Sequence, residues 1–193
     1  MPHNSLAPTE YPVHELIARR RSPRDFIITP ISQEDLWSIL EAARWAPSCF
    51  NEQPWRFLVA HREDSEDFER LLTCLVEANQ AWCCRASALI LCVAKHDYTL
   101  NGLPNDWAVH DVGIAVGYMA LQAVAIGHFT HAMAGFDKKR AREVCEIPEG
   151  FAPVTMVAIG KAPEPDVPLE RSRKPAETNV FTSIFGDALN QKV

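Results

Sequence analysis

Two stretches of this chain hold side chains whose types and spacing could do chemistry. The first is Arg19-Arg20-Arg21-Ser22-Pro23-Arg24. Several guanidiniums and a hydroxyl on one turn can grip phosphate oxygens, because arginine presents its N–H donors as a planar fork. The same residues could equally be cations at a helix C-terminus in a solvated face, and taken alone that plainer reading is the better one. The second stretch runs Ala46-Pro47-Ser48-Cys49-Phe50-Asn51-Glu52-Gln53-Pro54-Trp55-Arg56-Phe57. Its hydroxyl, amides and indole could meet the polar edge of a heterocycle, or serve an ordinary turn.

Other constellations carry less. His128 and His131 are three residues apart and His110 precedes Asp111, but no further ligands stand at metal-site spacing, so hydrogen-bonded histidines are expected. Cys83-Cys84 has only Arg85 to make an electropositive setting, which favours a structural role. Ser48 lies outside any Gly-x-Ser-x-Gly elbow, which leaves a hydrolase triad unsupported.

The elements that must position these residues follow from periodicity. Pro12 to Arg21 predicts a helix with Val13, Leu16 and Ile17 on one face, ended by Pro23. Ser32 caps a second helix, with Glu34 and Asp35 at its positive end and Leu36, Ile39, Leu40 and Ala43 as its apolar stripe, stopping near Ala46-Pro47. Trp55 to His61 predicts a strand, and Asp64 to Ala78 one amphipathic helix. Ala88 to Ala94 predicts a strand buried on both faces. Asn105 to Gly127 predicts the longest helix, all but apolar after Asp111 and therefore buried on most sides, within a domain or across a subunit interface. His128 to Ala134 suggests a strand, Asp137 to Cys145 a capped helix, and Val154 to Gly160 a buried strand. Lys161 to Pro175, with four prolines, predicts an extended arm, and the apolar patch from Val180 to Phe185 suggests that this arm docks again. This order is not a regular strand–helix alternation, which favours an α+β sandwich over a doubly wound sheet.

Composition sets outer bounds. A chain of 193 residues, 47% hydrophobic, suits a single globular domain, 1–193, with an N-terminal arm (1–11) and a C-terminal arm (161–193). A formal net charge of −6 argues against a general nucleic-acid surface. The longest apolar stretch, from Val112 to Ile126, is interrupted by Gly113, Gly117 and Gln122, so no membrane span is expected. Six cysteines without a Cys-x-x-Cys pair suggest reduced thiols and a cytoplasmic protein.

Taken together the two polar stretches point further. Arg-Arg-Ser-x-Arg-x-Phe, followed by Ala-Pro-Ser-x-x-Asn-x-Gln-Pro-Trp-x-Phe, closely resembles the nitroreductase family. Ala132-Met133-Ala134-Gly135-Phe136-Asp137 resembles the family's segment under the flavin ring. Ala158-Ile159-Gly160 is similar to its last central strand, and Arg171-Ser172-Arg173-Lys174-Pro175 to its C-terminal basic motif.

The resemblance implies an α/β/α sandwich with a mainly antiparallel central sheet. It also implies a homodimer with two FMN sites at its interface, and electrons drawn from NADH or NADPH. By position, Arg20 and Ser22, with Arg21 beside them, match phosphate-binding residues. Arg24 matches the basic residue near flavin N1 and the C2 carbonyl. Ala134 and Gly135 match the backbone near N5, and Arg171 and Arg173 the residues that close over the phosphate. Pro47, Ser48, Asn51 and Gln53 match a loop that reaches the flavin from the partner subunit. The implied activity is hydride transfer from NAD(P)H, through flavin, to a small organic acceptor such as a nitroaromatic or quinone; the alternatives are a specialised metabolite reductase or dehydrogenase, or a non-catalytic flavin-binding or sensing protein of the same fold. No residue is required as nucleophile or acid–base dyad, since the flavin carries the hydride. The chain departs from the family's pattern at Ala134, where a number of relatives carry glutamate or glycine, and in the segment before Tyr11. Both points bear on substrate preference.

Overall fold

The computed structural model describes residues 6–164 and 170–189. Its centre is a four-stranded sheet in the order β1-β2-β4-β3, formed by β1 (Trp55–His61), β2 (Ala88–Lys95), β3 (Phe129–Met133) and β4 (Phe151–Gly160). Every neighbouring pair is antiparallel.

Alternation along the two central strands decides which layer each side chain serves. From β2, Leu89, Leu91 and Val93 enter one core with Met156 and Ala158 of β4. Helices α3 (Ser65–Leu72), α4 (Glu77–Cys83) and α6 (Lys138–Val144) cover that core. Ala88, Ile90, Cys92 and Ala94 turn to the opposite core with Val157 and Ile159, under α2 (Gln33–Arg44) and α5 (Ala108–Ala125). With helices on both faces, β2 must be apolar at every position from Ala88 to Ala94, as its continuous run suggests. The three layers are the expected α+β sandwich. Pro153 sits inside β4, where the register against β2 shifts between Cys92 and Val93. A bulge is where a central strand tolerates a residue without an N–H.

Several elements match their sequence signals closely. Ser32 Oγ accepts from the Asp35 N–H at 3.0 Å and Asp137 Oδ1 from the Arg140 N–H at 2.9 Å, capping α2 and α6. The 64–78 stretch differs. It forms two helices rather than one, because Leu75 bridges to Phe136 and Val76 adopts extended geometry, donating its N–H to the Gly135 carbonyl. A pairing 61 residues away in sequence overrides the local helical period. Helix α1 (Glu15–Arg19) is shorter than predicted. Helix α5 is long and apolar enough to cross a bilayer, but it packs on α2 and the sheet.

The C-terminal patch, expected to dock again, lies open in the single protomer. Val180, Ile184 and Phe185 are exposed, and the rings of Phe181 and Phe185 lie against each other with centroids 5.0 Å apart. Residues 165–169 of the expected arm, and 1–5 and 190–193 at the ends, lie outside the described residues. All six cysteines are free thiols.

Candidate functional site

Helix α1 stops where Arg20 turns out of helical geometry, and the residues around that end converge. Arg20 donates to Ser22 Oγ at 3.2 Å. Arg171, returning from the far end of the chain, donates to the carbonyls of Ala18 at 2.8 Å and Arg20 at 2.6 Å. These are carbonyls the last helical turn leaves without intrahelical partners. The Ala7 N–H takes the Ala18 carbonyl as well, at 2.9 Å. Both chain-terminal segments therefore wall one cleft of about 600 Å³, lined by Tyr11, Val13, Ile17, Arg20, Arg171 and Arg173 among others.

The cleft is electrostatically loaded. Burial, and then the positive charge of Arg173, hold the Arg20 guanidinium below its ordinary pKa. Arg171 is lowered by burial and then by Arg20, Arg173 and Arg21. Guanidiniums that repel one another at a concave surface form a fitting receptor for a phosphate dianion, whose charge relieves the repulsion.

Arg21, expected beside Arg20, does not line this cleft. It is buried, donates to the Pro163 carbonyl at 2.7 Å, and lies over the Phe129 ring at 4.4 Å. Its Nε has no partner among the described residues. Adjacent positions leave a turn in different directions, and Arg21 turns inward. Arg24 is exposed on the other side of Pro23, beside His131, whose pKa it helps lower.

Edge strand β3 ends at Met133 and delivers Ala134 and Gly135. The Gly135 carbonyl accepts from the Val76 N–H at 3.0 Å and from Asn79 Nδ2 at 3.1 Å. Its own N–H meets no acceptor among the described residues. A Cβ at Gly135 would stand 2.7 Å from Asn79 Nδ2 and 3.1 Å from Val76 Cγ2. A larger residue here would have to push the Asn79 amide aside, so the close approach of α4 favours glycine, a constraint not visible in local sequence.

The second polar stretch forms a taut loop. Phe50, Asn51 and Gln53 all have positive φ, at 52°, 55° and 52°, a costly geometry for residues with side chains. Several bonds hold it: Ser48 Oγ accepts from the Gln53 N–H at 3.0 Å, Asp111 Oδ2 from the Cys49 N–H at 2.9 Å, and Glu52 Oε1 from Lys95 Nζ at 3.1 Å and the Thr99 N–H at 2.9 Å. Pro47 and Asn51 are exposed, and Phe50 is 89% exposed. None of Pro47, Ser48, Asn51 or Gln53 lines the basic cleft of its own protomer. Gln53 instead borders a groove between α2 and β1.

Sequence reasoning passed over the long-range backbone hydrogen bonds made by Asp111, Asn79 and His131. Asp111 is 2% exposed; a lone carboxylate heading an apolar helix was the signal available. His128 and His131 each hold a hydrogen bond, to Asp35 Oδ2 at 3.1 Å and to the Pro23 carbonyl at 2.9 Å. Among the described residues no cluster of three or more potential metal ligands exists.

Comparison with known proteins places this geometry. The profile described as the Nitroreductase family matches residues 17–161. YodC of Bacillus subtilis, named as an NAD(P)H nitroreductase, is 30% identical over 169 residues, spanning 70% of this chain and 82% of YodC. A crystal structure described as an oxidoreductase containing FMN is 37% identical, with a TM-score of 0.85 over 93% of this chain and 96% of that one. A nitroreductase structure from Exiguobacterium sibiricum, in complex with FMN, is 26% identical. Its TM-score is 0.74, over 85% of this chain and 93% of that one.

Proposed function

The chain belongs to the nitroreductase family, and from that premise we propose that it is an FMN-dependent NAD(P)H oxidoreductase acting on a small organic acceptor such as a nitroaromatic or quinone. The observation that carries the reading is the cleft at the end of α1, where Arg20, Arg171 and Arg173 converge with Ser22 beside them. Its charge and hydroxyl suit the flavin phosphate. The unmet N–H of Gly135 supplies the donor that the ring's N5 requires.

When bound, FMN takes up a hydride and returns it, which is the redox chemistry of the reaction. The chain's residues divide the remaining tasks. Arg20, Ser22, Arg171 and Arg173 hold the phosphate, and Arg24 places a cation where negative charge grows on reduction. The Ala134-Gly135 backbone donates a hydrogen bond at the reacting edge, with Asn79 holding that backbone in place. Nucleotide and acceptor use one open site in turn, a ping-pong order consistent with the lack of any Gly-x-Gly-x-x-Gly fingerprint.

The working form in this reading is a homodimer in the cytoplasm. One face of α5 stays open in the protomer: Val109, Gly113, Gly117 and Tyr118 are exposed, and a Cβ at either glycine would meet nothing within 4 Å. A second copy packed there would cover this apolar face and carry its Pro47–Gln53 loop toward the partner's cofactor.

A visible absorption spectrum of the purified protein, before and after NADH or NADPH, tests the proposal. A flavin band that bleaches supports it. Colourless protein that takes up no added FMN defeats it.

A further inference from the structure

The ring of His131 is held on two sides. Its Nδ1 lies 2.9 Å from the Pro23 carbonyl oxygen. Its face rests on Trp82, with centroids 4.6 Å apart, and Trp82 in turn stacks on Phe26. A carbonyl only accepts, so Nδ1 must carry the proton. Nε2 has no partner among the described residues and is not among the buried polar atoms left unpaired, so it stays open to solvent. The charged groups beside this ring are Arg20 and Arg24; its packing neighbours Trp82 and Pro23 are neutral.

We infer that His131 is a positioning residue for the cofactor site: as an Nδ1–H donor it fixes the Pro23 carbonyl, and through that backbone it sets where the Ser22 hydroxyl and the Arg24 guanidinium stand. The inference rests on the flavin reading given above. It reaches the site from β3, a strand 108 positions away in sequence from Pro23, so the turn bearing Ser22 and Arg24 does not depend on local geometry alone. Burial, with Arg24 and Arg20, keeps the ring's pKa below the ordinary histidine value, against the opposing effect of the Pro23 bond. At neutral pH the ring is therefore an uncharged donor. On protonation the Nδ1–H bond persists, because both nitrogens then carry protons, and what changes is a new positive charge beside Arg20 and Arg24. Added positive charge favours an anionic ligand.

The test uses the purified protein and the variants His131→Asn, which can still donate from its amide, and His131→Ala, which cannot. Nitrogen-15 NMR of the histidine ring reads the tautomer, and FMN titration reads affinity at neutral pH. The expected tautomer is Nδ1–H. Loss of one hydrogen bond should weaken FMN binding by about fivefold in His131→Ala, while His131→Asn stays within about twofold of the unaltered protein. An Nε2–H tautomer, or an asparagine variant as weak as the alanine one, would each overturn the inference. Wild-type protein that binds no FMN would instead refute the proposed function, and the tautomer, read without flavin, would then decide the Pro23 link by itself.

Discussion

The Arg21 guanidinium lies 4.4 Å from the centroid of the Phe129 ring, while Arg20, its immediate neighbour, lines the basic cleft. One residue of this pair ties the turn to β3; the other is free to serve a ligand. Arg21→Ala should therefore destabilise the fold by about 2 kcal/mol, through loss of a desolvated cation–π contact and the bond to the Pro163 carbonyl. Thermal unfolding checks this, and FMN affinity in the fraction that stays folded should change little.

Arg20→Ala should give the opposite profile. Each charge-assisted hydrogen bond to a phosphate contributes about 1.5–3 kcal/mol, so FMN retention should fall by at least tenfold, and further when combined with Arg173→Ala. The unfolding temperature of the cofactor-free protein should hold or rise slightly, since Arg20 and Arg173 repel each other. Equilibrium dialysis against FMN, alongside calorimetry, separates the two effects.

How far these roles could be read beforehand depends on where their causes lie. The caps Ser32 and Asp137, and the unbroken apolar run of β2, are local signals, and the structure follows them. The break between α3 and α4 is not local: it exists because Leu75 pairs with Phe136. The motif residues Arg20 to Arg24 were legible as a group, but a run of consecutive arginines does not say which one turns inward. That is decided by the Phe129 ring and the Pro163 carbonyl, 108 and 142 positions further along the chain. His131, Asn79 and Asp111 were illegible for the same reason, since each acts on a backbone group distant in sequence.

Asp111 supplies a third prediction. Its carboxylate accepts from the Cys49 N–H and lies 3.0 Å from His110 Nδ1, pinning a loop with three positive-φ residues. Asp111→Ala leaves the Cys49 N–H without this acceptor and a cavity at the head of α5, at a cost of about 2–3 kcal/mol. Hydrogen exchange should rise in residues 48–53 before it rises in the sheet. Unchanged exchange there would mean that Asp111 does not hold the loop.

Gly135→Ala tests the close approach of α4. The added methyl would stand 2.7 Å from Asn79 Nδ2, so the Asn79 bond to the Gly135 carbonyl must stretch or break. A stability loss of about 1–2 kcal/mol is expected. Asn79→Ala in the same background should restore room for the methyl and make the two substitutions clearly non-additive. Additive effects in a double-mutant cycle would remove the proposed contact.

The thiols provide the last prediction, because their titration is set by burial. Desolvation pushes Cys83 and Cys92 up to about 12 and Cys74 up to about 11. A thiol reacts as its thiolate, so at pH 8 these three should be inert in the folded protein. The sign is fixed by the direction of the shift: raising pH from 8 toward 9 increases their thiolate only slightly, whereas an unshifted thiol would pass through half-ionisation. Cys84 is the exposed cysteine and should react first with a disulfide reagent, with Cys49 and Cys145 slower because they are half-buried. Cys84→Ser should abolish the fast phase, and denaturant should bring the full complement of six into reaction. A fast phase that survives Cys84→Ser would place a reactive thiolate elsewhere in the fold, at a position whose burial argues against it.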